Sequence, residues 1–115
     1  MSERTFPVHR DQRGELVVVE GTELDFPLRR IFTVSGVDGG GPRGGHRAGC
    51  AEVLVLVTGS ARMRVQPGEG PERRHVLEEP GQSVTLRAED YIEYDLGGAG
   101  SVLLVLCDAP YRSDR

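Results

Sequence analysis

The chain contains no lysine: all 14 of its basic residues are arginine. That absence excludes Schiff-base catalysis and a P-loop lysine, both of which need a primary amine. Cysteine is nearly absent too. Cys50 and Cys107 form no C-x-x-C pair, no disulfide is expected between them, and Cys107, closing an apolar run, reads as a small buried hydrophobe. No stretch approaches the roughly 18 apolar residues that a membrane-spanning helix needs. The N-terminus, Met1-Ser2-Glu3-Arg4-Thr5, shows no basic segment followed by an apolar one, so no secretory signal is read there and a cytoplasmic protein is expected. A net charge of −4 with scattered arginines argues against a nucleic-acid surface. Nor is there a dinucleotide fingerprint, since Gly39-Gly40-Gly41 and Gly97-Gly98 lack the strand-to-helix setting that a phosphate cradle requires. The planar fork of arginine still suits an anionic small molecule, if one or two of the 14 point into a pocket.

What is present is the grammar of a β protein in a single domain spanning residues 1–115. Gly14–Glu20, Arg30–Val34, Glu52–Thr58 and Ser101–Cys107 are short β-branched runs bounded by Gly, Pro, Asp or Ser, and each reads as a strand. Weaker strands are expected at 60–66, 73–77, 83–86 and 91–96. Pro67-Gly68-Glu69-Gly70-Pro71 and Leu96-Gly97-Gly98-Ala99-Gly100 supply turns between them. No segment has sustained helical periodicity, so an all-β sandwich or closed barrel is the economical architecture. The uninterrupted apolar runs at 53–57 and 102–107 imply strands covered on both faces, which a small barrel achieves by pairing with a second copy. A homodimer is therefore expected.

The most informative stretch runs from Gly40 through His46 and Glu52 to Gly59. It resembles the first cupin motif, which is Gly, five residues, His-x-His, three or four residues, Glu, six residues, Gly. Every spacing fits, and one position departs: the second histidine is Ala48. Because residues two apart on a strand share a face, His46 and position 48 are expected to look into the barrel together, joined by Glu52 from the neighbouring strand. His46 and Glu52 alone are too few for a zinc, iron or manganese site, which takes three or four protein ligands, so no metal and no other cofactor is expected.

A narrower pattern covers most of the chain. Phe6, the turn Asp11-Gln12-Arg13-Gly14, the step Phe26-Pro27-Leu28-Arg29-Arg30-Ile31-Phe32 and then Arg43-Gly44-Gly45-His46 are similar, in order and spacing, to the WxcM-like sugar 3,4-ketoisomerases. The resemblance implies an all-β, small single-domain cupin β-barrel of the jelly-roll, RmlC-like kind. It also implies a metal-independent isomerase acting on a dTDP-linked 4-keto-6-deoxysugar. In that family two histidines handle protons. Here only His46 remains, the aromatic expected after Phe32 is Thr33, the late Trp-His-Glu step is Tyr91-Ile92-Glu93, and the closing aromatic-acidic tail is Tyr111-Arg112-Ser113-Asp114.

Ketoisomerisation removes a proton from C3, holds an enediol and returns a proton at C4. His46, as the one motif histidine, is the expected base, with Tyr91 and Glu93 as further catalytic candidates. Arg30 and Arg43 are expected to bind pyrophosphate or the enediolate, and Glu52 and Tyr94 to contact substrate. His9 and His75 read as surface histidines. Two other classes stay open: a metal-free cupin isomerase or cyclase of natural-product biosynthesis, using room left by Ala48, and a non-catalytic ligand-binding cupin.

Overall fold

The computed structural model describes residues 3–110, in which eleven strands and one short 3-10 turn follow one another. The strands are β1 (Glu3–Thr5), β2 (Val8–Asp11), β3 (Gly14–Val17), β4 (Arg30–Ser35), β5 (Arg43–Arg47), β6 (Glu52–Thr58), β7 (Ala61–Gln66), β8 (Arg73–Leu77), β9 (Gln82–Leu86), β10 (Tyr91–Leu96) and β11 (Val102–Cys107). All pairings are antiparallel. A five-stranded sheet runs β1-β9-β6-β11-β4, a four-stranded sheet runs β5-β10-β7-β8, and β2 with β3 makes a separate hairpin.

The strands predicted from apolar runs are present, several to the residue. Those at β1, β2 and β5 were not, because their side chains are mostly charged or glycine and they carry no apolar alternation. The β2–β3 turn forms where the Asp11-Gln12-Arg13-Gly14 sequence places it. The Asp11 carboxylate accepts a 2.8 Å hydrogen bond from the Arg13 amide, which closes an Asx turn.

The core lies between the two main sheets. Leu54, Leu56, Val84, Leu86, Leu103 and Val105 from the five-stranded sheet meet Ala61, Met63, Val65, Leu77 and Ile92 from the other. A second, smaller core covers the outer face of the five-stranded sheet, where Phe6, Val53, Val55 and Leu106 pack with Val17, Val19, Leu24 and Phe26. The continuous apolar run of β6 is explained by these two cores, with even-numbered residues serving one and odd-numbered residues the other. Much of that outer cover comes from the chain's own N-terminal segment. Phe6 is its anchor, its amide donating to the Gly81 carbonyl at 2.8 Å, and full burial of such a ring contributes on the order of 2–3 kcal/mol.

The cupin, RmlC-like all-β fold is thus the one expected, but the sheets do not close into a barrel. β4 ends one sheet and β5 ends the other, and no ladder joins them. The intervening residues 36–42 are rich in glycine and offer no run of strand-forming side chains to bridge the gap.

His75 corrects an expectation. It is 5% exposed rather than on the surface, and its Nδ1 is hydrogen-bonded to the Glu3 carboxylate, tying β8 to β1. The tail Tyr111-Arg112-Ser113-Asp114 lies outside the described residues.

Candidate active site

A cavity of about 590 Å³ opens between the two sheets at the end where β4 and β5 part. Arg30, Phe32 and Val34 line it from β4, Glu52 and Leu54 from β6, and Val105 from β11. Arg43 and His46 face it from β5, and Ile92 and Tyr94 from β10. Five of the seven residues singled out from sequence, Arg30, Arg43, His46, Glu52 and Tyr94, therefore meet in one pocket.

Arg43 and His46 are three residues apart, and a regular strand would send them to opposite faces. They share a face because β5 carries a bulge. Arg43 pairs with Tyr94 and His46 with Ile92, two residues apart on β10, so one extra residue is accommodated on β5. Gly44 and Gly45 take it up with φ of 84° and 73°, in the left-handed region that glycine enters without strain. At Gly44 a side chain has no room either, since a Cβ would stand 2.7 Å from the Ile92 carbonyl oxygen.

Tyr91 and Glu93 are not part of this pocket. The period of two along β10 sends Ile92 and Tyr94 inward and turns Tyr91 and Glu93 to the other face. There Glu93 forms a 3.0 Å ion pair with Arg64, whose guanidinium lies 5.8 Å from the centre of the Tyr91 ring. Arg64 also pairs with Glu72 at 2.9 Å, and these two carboxylates raise its pKa, the Glu72 bond most. The two residues are thus engaged in a surface cluster.

Ala48 does not enlarge the cavity. It is 1% exposed and packed in the main core, its amide donating to the Asp90 carbonyl at 2.7 Å and its carbonyl accepting from the Glu89 amide at 2.8 Å. β5 has already ended at Arg47, so position 48 does not continue the alternation that His46 begins.

The pocket is cationic at its walls. Arg30 lies over the Phe32 ring, 4.6 Å from its centre, a cation–π contact that helps fix the guanidinium plane at the cavity wall. Burial raises the pKa of Tyr94, opposed by the nearby positive charge of Arg43 and reinforced by Glu52, so its phenol stays protonated and can donate. Two residues that sequence reasoning left aside stand close by. Cys107 is directly opposite Glu52 in the β6–β11 register, and its thiol is pushed up to about 12, first by burial and then by the charge of Glu52 and by Cys50. The signal for them was positional: Cys50 lies two residues before Glu52, and Cys107 ends the strand that pairs with it.

The family model described as FdtA, WxcM-like, C-terminal, matches residues 2–115. The chain belongs to this family. The FdtA assignment agrees with the order of motifs along the sequence. Among solved structures, QdtA, a sugar 3,4-ketoisomerase from Thermoanaerobacterium thermosaccharolyticum in complex with TDP, is 25% identical, with a TM-score of 0.85 over 98% of this chain and 83% of that one. The WlaRB TDP-quinovose 3,4-ketoisomerase from Campylobacter jejuni is 26% identical, with a TM-score of 0.81 over 96% of this chain and 86% of that one. The rmlC epimerase of Mycobacterium tuberculosis, 19% identical with a TM-score of 0.79 over 98% of this chain and 65% of that one, shares the fold. No curated protein matches the chain. Among the described residues no helix is long and apolar enough to cross a membrane.

Proposed function

We propose that this FdtA-family chain is an isomerase of nucleotide-linked deoxysugars that interconverts 4-keto and 3-keto forms of a dTDP-6-deoxyhexose. The observation that carries the reading is the convergence of His46, Arg30, Arg43 and Tyr94 on one cavity, in a chain whose solved relatives include TDP-sugar ketoisomerases. In this reading His46 takes the C3 proton and returns it at C4 on the same face of the sugar, so that one histidine serves both steps. The enediolate that forms between them gathers negative charge, which Arg30 and Arg43 offset along with the pyrophosphate. Tyr94, a phenol whose pKa burial raises further above neutrality, donates to the sugar oxygen and carries the oxygen-to-oxygen proton transfer. Tyr91 and Glu93 take no direct part.

Three further elements belong to the proposal. The substrate is drawn from deoxysugar assembly for natural products. The protein works in the cytoplasm, consistent with two cysteines that form no disulfide. It acts as a homodimer, which the outer face of the five-stranded sheet supports: Leu16 and Ile31 are 60% and 56% exposed beside an apolar groove of about 550 Å³.

The test is proton NMR of freshly generated dTDP-4-keto-6-deoxyglucose with the protein in heavy water. Deuterium at C3 together with a 3-keto product supports the isomerase, and both signals are expected to vanish in His46→Asn. Turnover undiminished in that variant overturns the role of His46. Binding of dTDP with neither exchange nor product moves the chain to the non-catalytic reading.

A further inference from the structure

Cys50 and Glu52, close together in sequence, meet Cys107 from a distant strand. Glu52 opens β6, Cys107 closes β11 opposite it, and Cys50 lies on the segment that leads into β6. One ligand atom from each, two sulfurs and a carboxylate oxygen, lies within 4.8 Å of the other two. Both cysteines are buried in the main core, whereas Glu52 also lines the cavity that holds His46.

We propose that Cys50, Glu52 and Cys107 form a binding site for one divalent transition-metal ion of the zinc class, with its fourth coordination position toward the cavity. Two thiolates and a carboxylate are a borderline-soft donor set, suited to zinc and poor for magnesium or calcium. Zinc–sulfur bonds of about 2.3 Å and zinc–oxygen bonds of about 2.1 Å place tetrahedral donors roughly 3.6 Å apart. The three donors, within 4.8 Å of one another, lie at most about 1.2 Å beyond that spacing. Three protein ligands and one open position are the pattern of a zinc site that can take a water or a ligand oxygen.

The charge also balances. Three anionic donors around a divalent ion leave one negative charge, and Arg30, which pairs with Cys107 across β4 and β11 and faces the same cavity, offsets it. Binding removes the protons of two buried thiols and releases them to solvent, so affinity rises with pH. This donor set shares only Glu52 with the cupin motif and uses neither His46 nor position 48. The site goes beyond the isomerase reading and does not depend on it, since an ion here can serve structure alone.

The experiment is an anaerobic titration of the fully reduced chain with cobalt(II), followed by displacement with zinc(II). One equivalent of cobalt is expected to develop sulfur-to-metal charge-transfer absorption in the near ultraviolet together with the visible bands of a tetrahedral ion, and one equivalent of zinc is expected to bleach both. Cys50→Ser is expected to lose about half of the charge-transfer intensity, because one of two thiolate ligands is gone. Glu52→Gln keeps that intensity but binds more weakly. Should Cys107→Ser fail to fold, these two variants read the same site. Reduced, folded protein that stays colourless, with both thiols titratable by a thiol reagent once the sample is unfolded, overturns the proposal. So does full absorption and unchanged affinity in Cys50→Ser. Sugar turnover enters neither outcome, so failure here leaves the isomerase reading intact.

Discussion

Replacing Gly44 and Gly45 by alanine, one at a time, separates two reasons for the glycine pair on β5. Both residues have positive φ, so either alanine pays the steric cost of the left-handed region, about 1–2 kcal/mol. At Gly45 the added methyl meets only the Tyr91 hydroxyl at 3.8 Å, an ordinary contact. At Gly44 it meets the Ile92 carbonyl at 2.7 Å, and a backbone atom in a paired strand cannot step aside, so overpacking adds a further ~1–3 kcal/mol. Gly45→Ala is therefore expected to lower stability by about 1–2 kcal/mol and Gly44→Ala by about 2–5 kcal/mol. For a chain of this length the melting temperature should fall by about 4 °C per kcal/mol. Urea unfolding with a common m-value reads the difference directly. The two variants should also part in TDP binding. Relief of the Gly44 clash straightens the bulge and turns Arg43 away from the cavity, and loss of one charge-assisted contact weakens binding by roughly tenfold to a hundredfold. Gly45→Ala should bind nearly as the parent does. Equal destabilisation by both alanines, or unaltered TDP affinity in a folded Gly44→Ala, would refute the argument that the bulge holds Arg43 in place.

Tyr94 should titrate above the ordinary phenol value of about 10, since burial disfavours its phenolate; the wild-type minus Tyr94→Phe difference in ultraviolet absorbance isolates it from the other tyrosines, and a midpoint at or below that value contradicts its placement. The same shift makes stability fall with pH: the unfolded phenol loses its proton first, so the contribution is intact below about 10 and is lost as pH climbs through the higher folded value, a decline that Tyr94→Phe should flatten. Leu103→Ala, at a fully buried position of β11, which is paired on both sides, should cost about 2–5 kcal/mol in urea unfolding while leaving the cavity-lining residues in place.

Strands that face a core on at least one side could be read directly, because burial imposes either continuous apolar runs, as in β6, or strict alternation, as in Ala61-Arg62-Met63-Arg64-Val65 of β7. β5 could not be read that way. Its backbone conformation is set by partners on β10 and by two positive-φ glycines, and neither leaves a hydrophobic period in the sequence. The pocket followed a similar division. His46 and Glu52 were found from motif spacing and Arg30 and Arg43 from the family pattern, whereas Tyr91, Glu93 and Tyr94 all came from one late stretch, of which the pleat of β10 sends only Tyr94 into the pocket. His75 looked like a surface residue because its neighbours Arg73 and Arg74 are charged, and its burial depends on Glu3, 72 residues away. Cys50 and Cys107 form no C-x-x-C pair and Cys107 closes an apolar run, so nothing local brings them together, and the register that sets Cys107 opposite Glu52 is a tertiary fact.

The bulge on β5 has a second consequence, for the behaviour of the molecule in a crowded solution. β5 is the last strand of its sheet and every one of its residues is exposed, so a flat version of it would present a row of unpaired amides and carbonyls on which another chain could add. The two left-handed glycines interrupt that row, and Arg43 and Arg47 place like charges along it, so an incoming copy meets neither a continuous template nor a neutral one. The kink that turns Arg43 toward the cavity thereby also guards the open edge against self-association, and a variant that straightens the strand should aggregate sooner even where it remains folded.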